Sequence, residues 1–528
     1  MSVCLLLALL GDADLIIDGG TVIDGTGSKG QVADIAIEDG HIVAIGNLSD
    51  EKAKARINAK DHVVCPGFID LHSHADRGIL KYRPAENYIR QGVTTLLCGN
   101  CGGSPIDVGE FFTKLRDGGT GPNIALLVGH GSVRQSVMGR INKVPSKQQL
   151  AEMQRIVRQA MEDGAVGMST SLRYGPGAYA ETAEIVALVS EIKPYRGFYA
   201  THMRDEGTRI FEAVEEALLI GRKAKVPVHI SHHKISSVSV FGLTRQTLAR
   251  IDAARKSGQN VTLDQYPYSA GSGGMDLYVP QWSLVGGMGE FRKRIADAET
   301  KVRIIEGVEE LLVRKVYRQG QDTKNDEHTT AALDRIRVAR AGHDPTLEGM
   351  TIRDILQQRR QPVTLRNGSL LLVELISKGT RGINHTLDDS VGGDVDRVMA
   401  HPQTSIASDG GVLEFGAGNP HPRSYGCYPR VLARYVRERG HLKLEEAIRK
   451  MTSLPASRLG WKKRGTLKVG SHADVVVFDP KTITDVATFA NPHQYSKGVH
   501  HVIVNGVAVL QDAKMTKSLP GKPVTLGR

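Results

Sequence analysis

The stretch GFIDLHSHADR, residues 67–77, sets two histidines one residue apart at the end of an apolar run. In an extended strand, side chains alternate between faces with period two. His72 and His74 are therefore expected on one side with Phe68 and Asp70, and Ile69 and Leu71 on the other. Alone, the pattern is equally that of a half-buried strand whose polar positions are histidines, because short motifs match often by chance. It gains meaning only if other donors converge on the same place.

Outward from this run the same design repeats. Strand-like apolar segments read PGFIDLHSH (66–74), GVTTLLCGNC (92–101), NIALLVGHG (123–131), GAVGMSTS (164–171), GFYATHMR (197–204), VPVHISHHK (226–234), NVTLDQYPY (260–268) and TSIASDGG (404–411). Between them lie patterns of helical period, such as KQQLAEMQRIVRQAMEDG and GTRIFEAVEEALLIGRKA. Eight strands alternating with helices predict an α/β fold of (β/α)8 TIM-barrel type, whose chemistry sits at the carboxyl ends of the strands. Nearly every segment ends in polar or ionisable residues, so those residues are expected around one opening.

The flanks are different. DLIIDGGTVID and DIAIEDGHIVAIG near the start, and HADVVVFDP and GVHHVIVNGVAVLQD near the end, read as short strands with DG, GG and NG turns. The expected division is residues 1–65 and 461–528 as two parts of one small β-domain, and 66–460 as the barrel. Inside the long gap at 269–403 an insertion is expected around 285–350, and RQGQDTKNDEHTT reads as a polar loop.

Composition sets the outer bounds. The 528 residues are 40% hydrophobic and 24% charged, as in an ordinary globular protein. The net charge of +11 is scattered, with small clusters such as WKKRG (461–465), which argues against nucleic acid as partner and for mild steering of anionic small molecules. Five cysteines without a disulfide spacing favour a reducing compartment, so a cytoplasmic location is expected. VCLLLALLG (3–11) reads as an apolar first strand, the alternative being the remnant of an export signal. No stretch reaches the ~18 apolar residues of a membrane span, so no membrane partner is expected.

Strand parity then gathers the donors. Cys101 is expected on one face with Thr95 and Leu97, Cys98 on the other; His202 ends YATH. His232 and Lys234 are expected to share a face, with His229 and His233 outward, and Asp409 to share one with Ser405 and Ala407. Imidazole plus thiolate is a zinc-type ligand set. Six donors exceed one tetrahedral shell, so either Cys101 bridges two metals or one tight site lies beside a weak one.

These motifs resemble the amidohydrolase superfamily, and within it the N-acyl-D-amino-acid deacylases, or D-aminoacylases. The resemblance runs through GTVIDGTG (20–27), PGFIDLHSH, GVTTLLCGNCG, THMRDEG, ISHHK, YPYSAGS, SDGG, HPRSYG (421–426) and RKMTSLPASRLG (449–460). Most two-metal amidohydrolases bridge their metals with a carboxylated lysine on the fourth strand; here GAVGMSTSL has no lysine, and Cys101 is the alternative bridge. The resemblance implies Cys101, His202 and His232 as ligands of a tight Zn2+, and His72 and His74 as those of a second, weaker position. It implies Asp409 as general acid/base and Tyr174, in LRYGPG, as a group polarising the scissile carbonyl. Lys234, Tyr268 and Arg423 are implied to hold the substrate's α-carboxylate, with Tyr266 the alternative to Tyr268. VLEFGAGNP (412–420), just before Arg423, is longer than the family pattern.

The implied activity is hydrolysis of N-acyl-D-amino acids to a carboxylate and a free D-amino acid by metal-activated hydroxide, the D-preference resting on the resemblance. Residues 269–291 contain no Lys or Arg but do contain Asp276, so a neutral or apolar substrate side chain is expected. Another amidohydrolase activity, on cyclic amides or N-acyl dipeptide-like substrates, would use the same site. A non-catalytic barrel acting as a binding module would be expected to lack ligands, and all six donor positions are filled.

Overall fold

Every one of the eight apolar runs contains a strand. The computed structural model describes residues 12–316 and 326–527; the apolar run 3–11 lies outside the described residues. The strands are β1 (Phe68–Asp70), β2 (Val93–Cys98), β3 (Asn123–Leu126, continued by Val128–Gly129), β4 (Gly167–Ser171), β5 (Phe198–His202), β6 (Val228–Ile230), β7 (Val261–Gln265) and β8 (Thr404–Ile406). Each pairs in parallel with the next, except that β7 reaches β8 past a long insertion. A parallel bridge Ser73↔Gly410 and the bonds Asp409 N→His72 O (2.7 Å) and His74 N→Gly410 O (2.7 Å) close β8 onto β1. The result is a (β/α)8 barrel.

The helices between strands form where apolar faces and caps agree. Lys147–Glu162 starts on a capping box in which Ser146 and Gln149 satisfy each other's backbone, and buries Met153, Val157, Ala160 and Met161. Inside the barrel, Ile69, Leu71, Leu97, Ala125, Leu127, Phe198 and Ala200 pack with Ala456 and Leu459. Phe68, Cys98, Val228, Ile230, Val261, Leu263 and Ile406 belong instead to the cluster that includes the helix residues Val214, Leu218 and Ile251. The first strand is thus oriented opposite to the parity expectation for the His72/His74 face: Ile69 and Leu71 point inward, Phe68 outward.

Both flanks of the chain enter one nine-stranded sheet. Val63–Pro66 pairs in parallel with Leu15–Val22 on one side and antiparallel with Val475–Phe478 on the other, Val475 facing Pro66. Gly67 links this sheet directly to β1, and a Cβ there would lie 2.1 Å from Thr94 Oγ1, so only glycine fits the junction. Asp474 anchors the sheet to the barrel: it pairs with Arg464, accepts from Asn505 N at 2.8 Å, and faces the amide of Asn123 on β3.

The insertion between β7 and β8 is wider than 285–350. Its three-stranded sheet takes Gly271–Gly274, Ile336–Arg340 and Arg381–Asn384, and its own core joins Phe291, Ile304, Val308, Leu333, Ile352 and Leu372. The two outer segments pair with register Gly271↔Asn384, so both ends of the inserted body return to the barrel rim. Residues 326–330, expected as loop, begin the helix Asp326–Asp334, which buries Ala332 and Leu333; 318–325 lie outside the described residues.

Candidate active site

His202 ends β5 itself, whereas three other strands stop short of their donors and tight turns carry those donors inward. β2 ends at Cys98, β6 at Ile230 and β8 at Ile406. Beyond them, Cys101 (φ 52°), His232 (φ 36°) and Asp409 (φ 49°) all adopt left-handed backbone. Such conformations are unfavourable for residues with a Cβ and persist where surrounding structure holds them, often at functional sites. His232 is held by its N–H on Asp264 Oδ1 at 2.6 Å, Asp409 by its N–H on His72 O. This corrects the parity reading of β6. His229 points into the barrel, bonded to Asp264 Oδ2 (2.7 Å) and Thr262, and His232 reaches the same side because the strand has already broken.

The turns gather the donors around one sulfur. Cys101 Sγ lies 3.3 Å from His72 Nε2, 3.7 Å from His202 Nδ1 and 3.5 Å from His232 Nε2. His74 Nε2 and His72 Nε2 stand 3.1 and 3.5 Å from Asp409 Oδ1. A tetrahedral cation with metal–sulfur and metal–nitrogen bonds of about 2.3 and 2.05 Å sets sulfur and nitrogen about 3.6 Å apart, and nitrogen and oxygen about 3.4 Å. The observed spacings fit. Cys101 is common to two donor groups, one with His202 and His232, the other with His72, His74 and Asp409. The residues present therefore suit a divalent cation, and Asp409 stands among the donors of the second group.

Two acids that sequence reading missed orient this set. Glu206, in THMRDEG, puts Oε1 3.1 Å from His232 Nδ1 and Oε2 3.7 Å from His202 Nε2. Asp264 on β7 lies 3.4 Å from His72 Nδ1. Carboxylates on the far nitrogens of metal-ligating imidazoles fix their orientation and raise their basicity. Burial opposes ionisation of Cys101, but the adjacent imidazoles of His72 and His232 prevail and hold its thiol well below the ordinary range. Burial likewise opposes ionisation of Glu206 and Asp409. Lys234 holds the first, and Arg423 with His74 the second, well below the usual carboxylate range. Glu206 was findable as the one acid four residues past His202; Asp264 needed the β6–β7 register, which sets His229 against Thr262.

A cavity of about 700 Å³ opens over the donors, lined among others by Tyr174, Lys234, Tyr266, Asp409 and Arg423. The Tyr174 ring lies 5.4 Å from that of His202. Burial first, then the nearby Asp276 carboxylate, push its phenol well above the usual value, so it stays a proton donor. Lys234 Nζ is 2.6 Å from Glu206 Oε1, and Arg423 is 2.9 Å from Asp409 Oδ2. Both cations flank the Tyr266 ring, at 5.7 and 4.6 Å from its centroid. Tyr268 is elsewhere, a correction to its expected place: it is buried between Arg430 and Phe489. β7 ends at Gln265, and a turn with Tyr268 N on Tyr266 O sends the two tyrosines of YPY to different places. The long 412–420 loop does not displace Arg423; Val412, Leu413 and Glu414 line the cavity beside it.

A sequence model of the amidohydrolase family matches residues 55–255 and 294–510. D-aminoacylase of Alcaligenes xylosoxydans xylosoxydans is 35% identical over 532 aligned residues, covering 96% of this chain and 97% of that protein. A crystal structure of D-aminoacylase superposes with a TM-score of 0.81 at 34% identity, covering 97% of this chain and all of the other. N-acyl-D-glutamate deacylase from Bordetella bronchiseptica, solved with zinc and a phosphonate mimic of the tetrahedral intermediate, gives 0.81 at 31%, covering 98% and 100%.

Proposed function

We infer, from the fact that this chain belongs to the amidohydrolase family and within it to the N-acyl-D-amino-acid deacylases, that it hydrolyses the amide bond of N-acyl-D-amino acids with the help of zinc. The observation that carries the reading is Cys101, whose sulfur joins both donor groups at the base of a cavity flanked by Tyr174, Lys234 and Arg423. Imidazole and thiolate together favour zinc over harder cations. Cys101, His202 and His232 would hold the tight ion, His72 and His74 the second position. A cation there supplies positive charge that polarises a carbonyl and acidifies water.

The chain's own residues divide the remaining work. Asp409, ionised and at the cavity floor, accepts a proton from the attacking water and returns it to the departing amine, which leaves poorly without one. The Tyr174 phenol donates to the carbonyl oxygen as charge develops there. Lys234, Arg423 and Tyr266 receive the α-carboxylate, two cations forming charge-assisted bonds to one anion. In the free chain those cations rest on Glu206 and Asp409, so the entering carboxylate joins an already organised network.

The test is hydrolysis of paired N-acetyl-D- and N-acetyl-L-amino acids by zinc-reconstituted protein, with Asp409→Asn beside the wild type. Turnover of the D-forms alone, lost about 10²–10⁴-fold in the variant, is the expected result. Equal rates on both hands, or a fully active Asp409→Asn, would show the reading to be wrong.

A further inference from the structure

The cavity holds more positive charge than one α-carboxylate uses. Lys234 and Arg423 are engaged with Glu206 and Asp409, Arg173 approaches Asp205 at 3.5 Å, and Arg140 donates to Gly175 O at 2.7 Å. Arg77, just past His74, and Arg381, on the inserted sheet, line the same cavity with no ion pair or side-chain hydrogen bond among the described residues. Each feels one carboxylate at longer range: Arg77 the adjacent Asp76, and Arg381 Asp276, whose own pKa is raised by burial against the pull of Arg140 and Arg381. Desolvation, then the positive charges of Arg77 and Arg423, lower the basicity of Arg381. The side chains of Arg77 and Arg381 both reach solvent at the cavity rim; like charges gathered around one concave space repel, and an anion bound between them relieves the repulsion.

The positions of these groups separate the two anion sites. Lys234, Tyr266 and Arg423 follow β6, β7 and β8. Arg77 and Arg140 also line a second cavity of about 550 Å³ that opens beside Cys101 and Tyr174, on the side of β2, β3 and β4. Tyr174 and Cys101 border both spaces, so they stand between the cations that follow β6 and β8 and the guanidinium of Arg77. Arg381 reaches the mouth because its strand pairs with Gly271–Gly274, and a Cβ at Gly273 would lie 2.8 Å from Tyr174 Oη. The inserted sheet is thereby pressed against the reacting end of the cavity.

We propose that the preferred substrate carries a second carboxylate, held at the cavity mouth by Arg381 and Arg77. This rests on the N-acyl-amino-acid reading, and it departs from the expectation of a neutral side chain where the side chain is the source. That expectation came from residues 269–291, which hold no cation; the guanidiniums come from other loops. The second carboxylate has two possible sources, an acidic amino-acid side chain or a dicarboxylic acyl group.

The experiment compares kcat/KM for N-acetyl-D-glutamate, N-succinyl-D-methionine and N-acetyl-D-methionine in zinc-reconstituted wild type, Arg381→Gln, Arg381→Lys and Arg77→Gln. One dicarboxylate is expected to exceed N-acetyl-D-methionine by about tenfold or more, the worth of a charge-assisted bond. That ratio should fall by a similar factor in each Gln variant, through KM, and recover partly in Arg381→Lys. An advantage for N-acetyl-D-glutamate identifies the side chain as the source; one for N-succinyl-D-methionine identifies the acyl group. N-acetyl-D-methionine preferred or equal in the wild type, or a ratio untouched in both Gln variants, overturns the proposal and leaves the hydrolytic reading standing. Failure of all three substrates brings down the hydrolytic reading itself, and this proposal with it.

Discussion

Cys101, His232 and Asp409 show at the residue scale how residues that the fold brings together can be gathered through incomplete geometry. Period-two alternation assumes that a strand continues, whereas β6 stops two residues before His232, whose backbone then turns left-handed. Residue type and position at strand ends were legible; the turns that aim them were not, because a non-glycine residue in that conformation leaves no mark in the sequence. The YPY segment gives the same lesson in testable form. Tyr266 lies between two cations in the cavity, and Tyr268 is packed against Arg430 and Phe489 behind it. Tyr266→Phe is expected to raise KM for an N-acetyl-D-amino acid several-fold, by about the net worth of one hydrogen bond. Tyr268→Phe should leave KM unchanged. Steady-state kinetics on both variants checks this, and a KM effect confined to Tyr268→Phe would reverse the assignment.

Among the elements, the barrel strands were readable because each joins an apolar run to a polar end. The inserted body was less so. Its first and last strands in chain order are GSGG, with no apolar signal, and RGIN, and they are recognisable only by pairing with each other across more than a hundred residues. Where this body meets the C-terminal segment, His385 bonds through its backbone N–H to Arg335 O and sets its ring 4.5 Å from Phe489. Burial, then Arg337 and Arg335, lower its pKa from 6.5 to about 4. The unfolded chain therefore binds a proton between pH 6.5 and 4 that the folded chain refuses. The associated stability is fully present above pH 6.5 and lost as pH falls through 4. Guanidinium midpoints measured across that range should fall more steeply for wild type than for His385→Gln. Parallel slopes would show that this contact does not exclude the proton.

For the whole molecule, the distribution of charge and the path of the chain matter together. A net charge of +11 with guanidiniums gathered at the cavity mouth draws anionic solutes toward the donors. No described helix is long and apolar enough to cross a membrane. The flanking β-sheet was legible as two β-rich ends, yet its strand order was not, since hairpin turns specify neighbours within an end and say nothing of how the ends meet. Val63–Pro66 is an interior strand only while Val475–Phe478 lies alongside. A polypeptide halted or clipped anywhere before residue 475 would bare the backbone of VVCP, an apolar ribbon free to recruit a like ribbon from another molecule. Expressed residues 12–470 should accordingly elute as aggregates where the intact protein elutes as a defined species. The sheet that opens with the first described residues is thus closed only by a strand that arrives near the end of the chain.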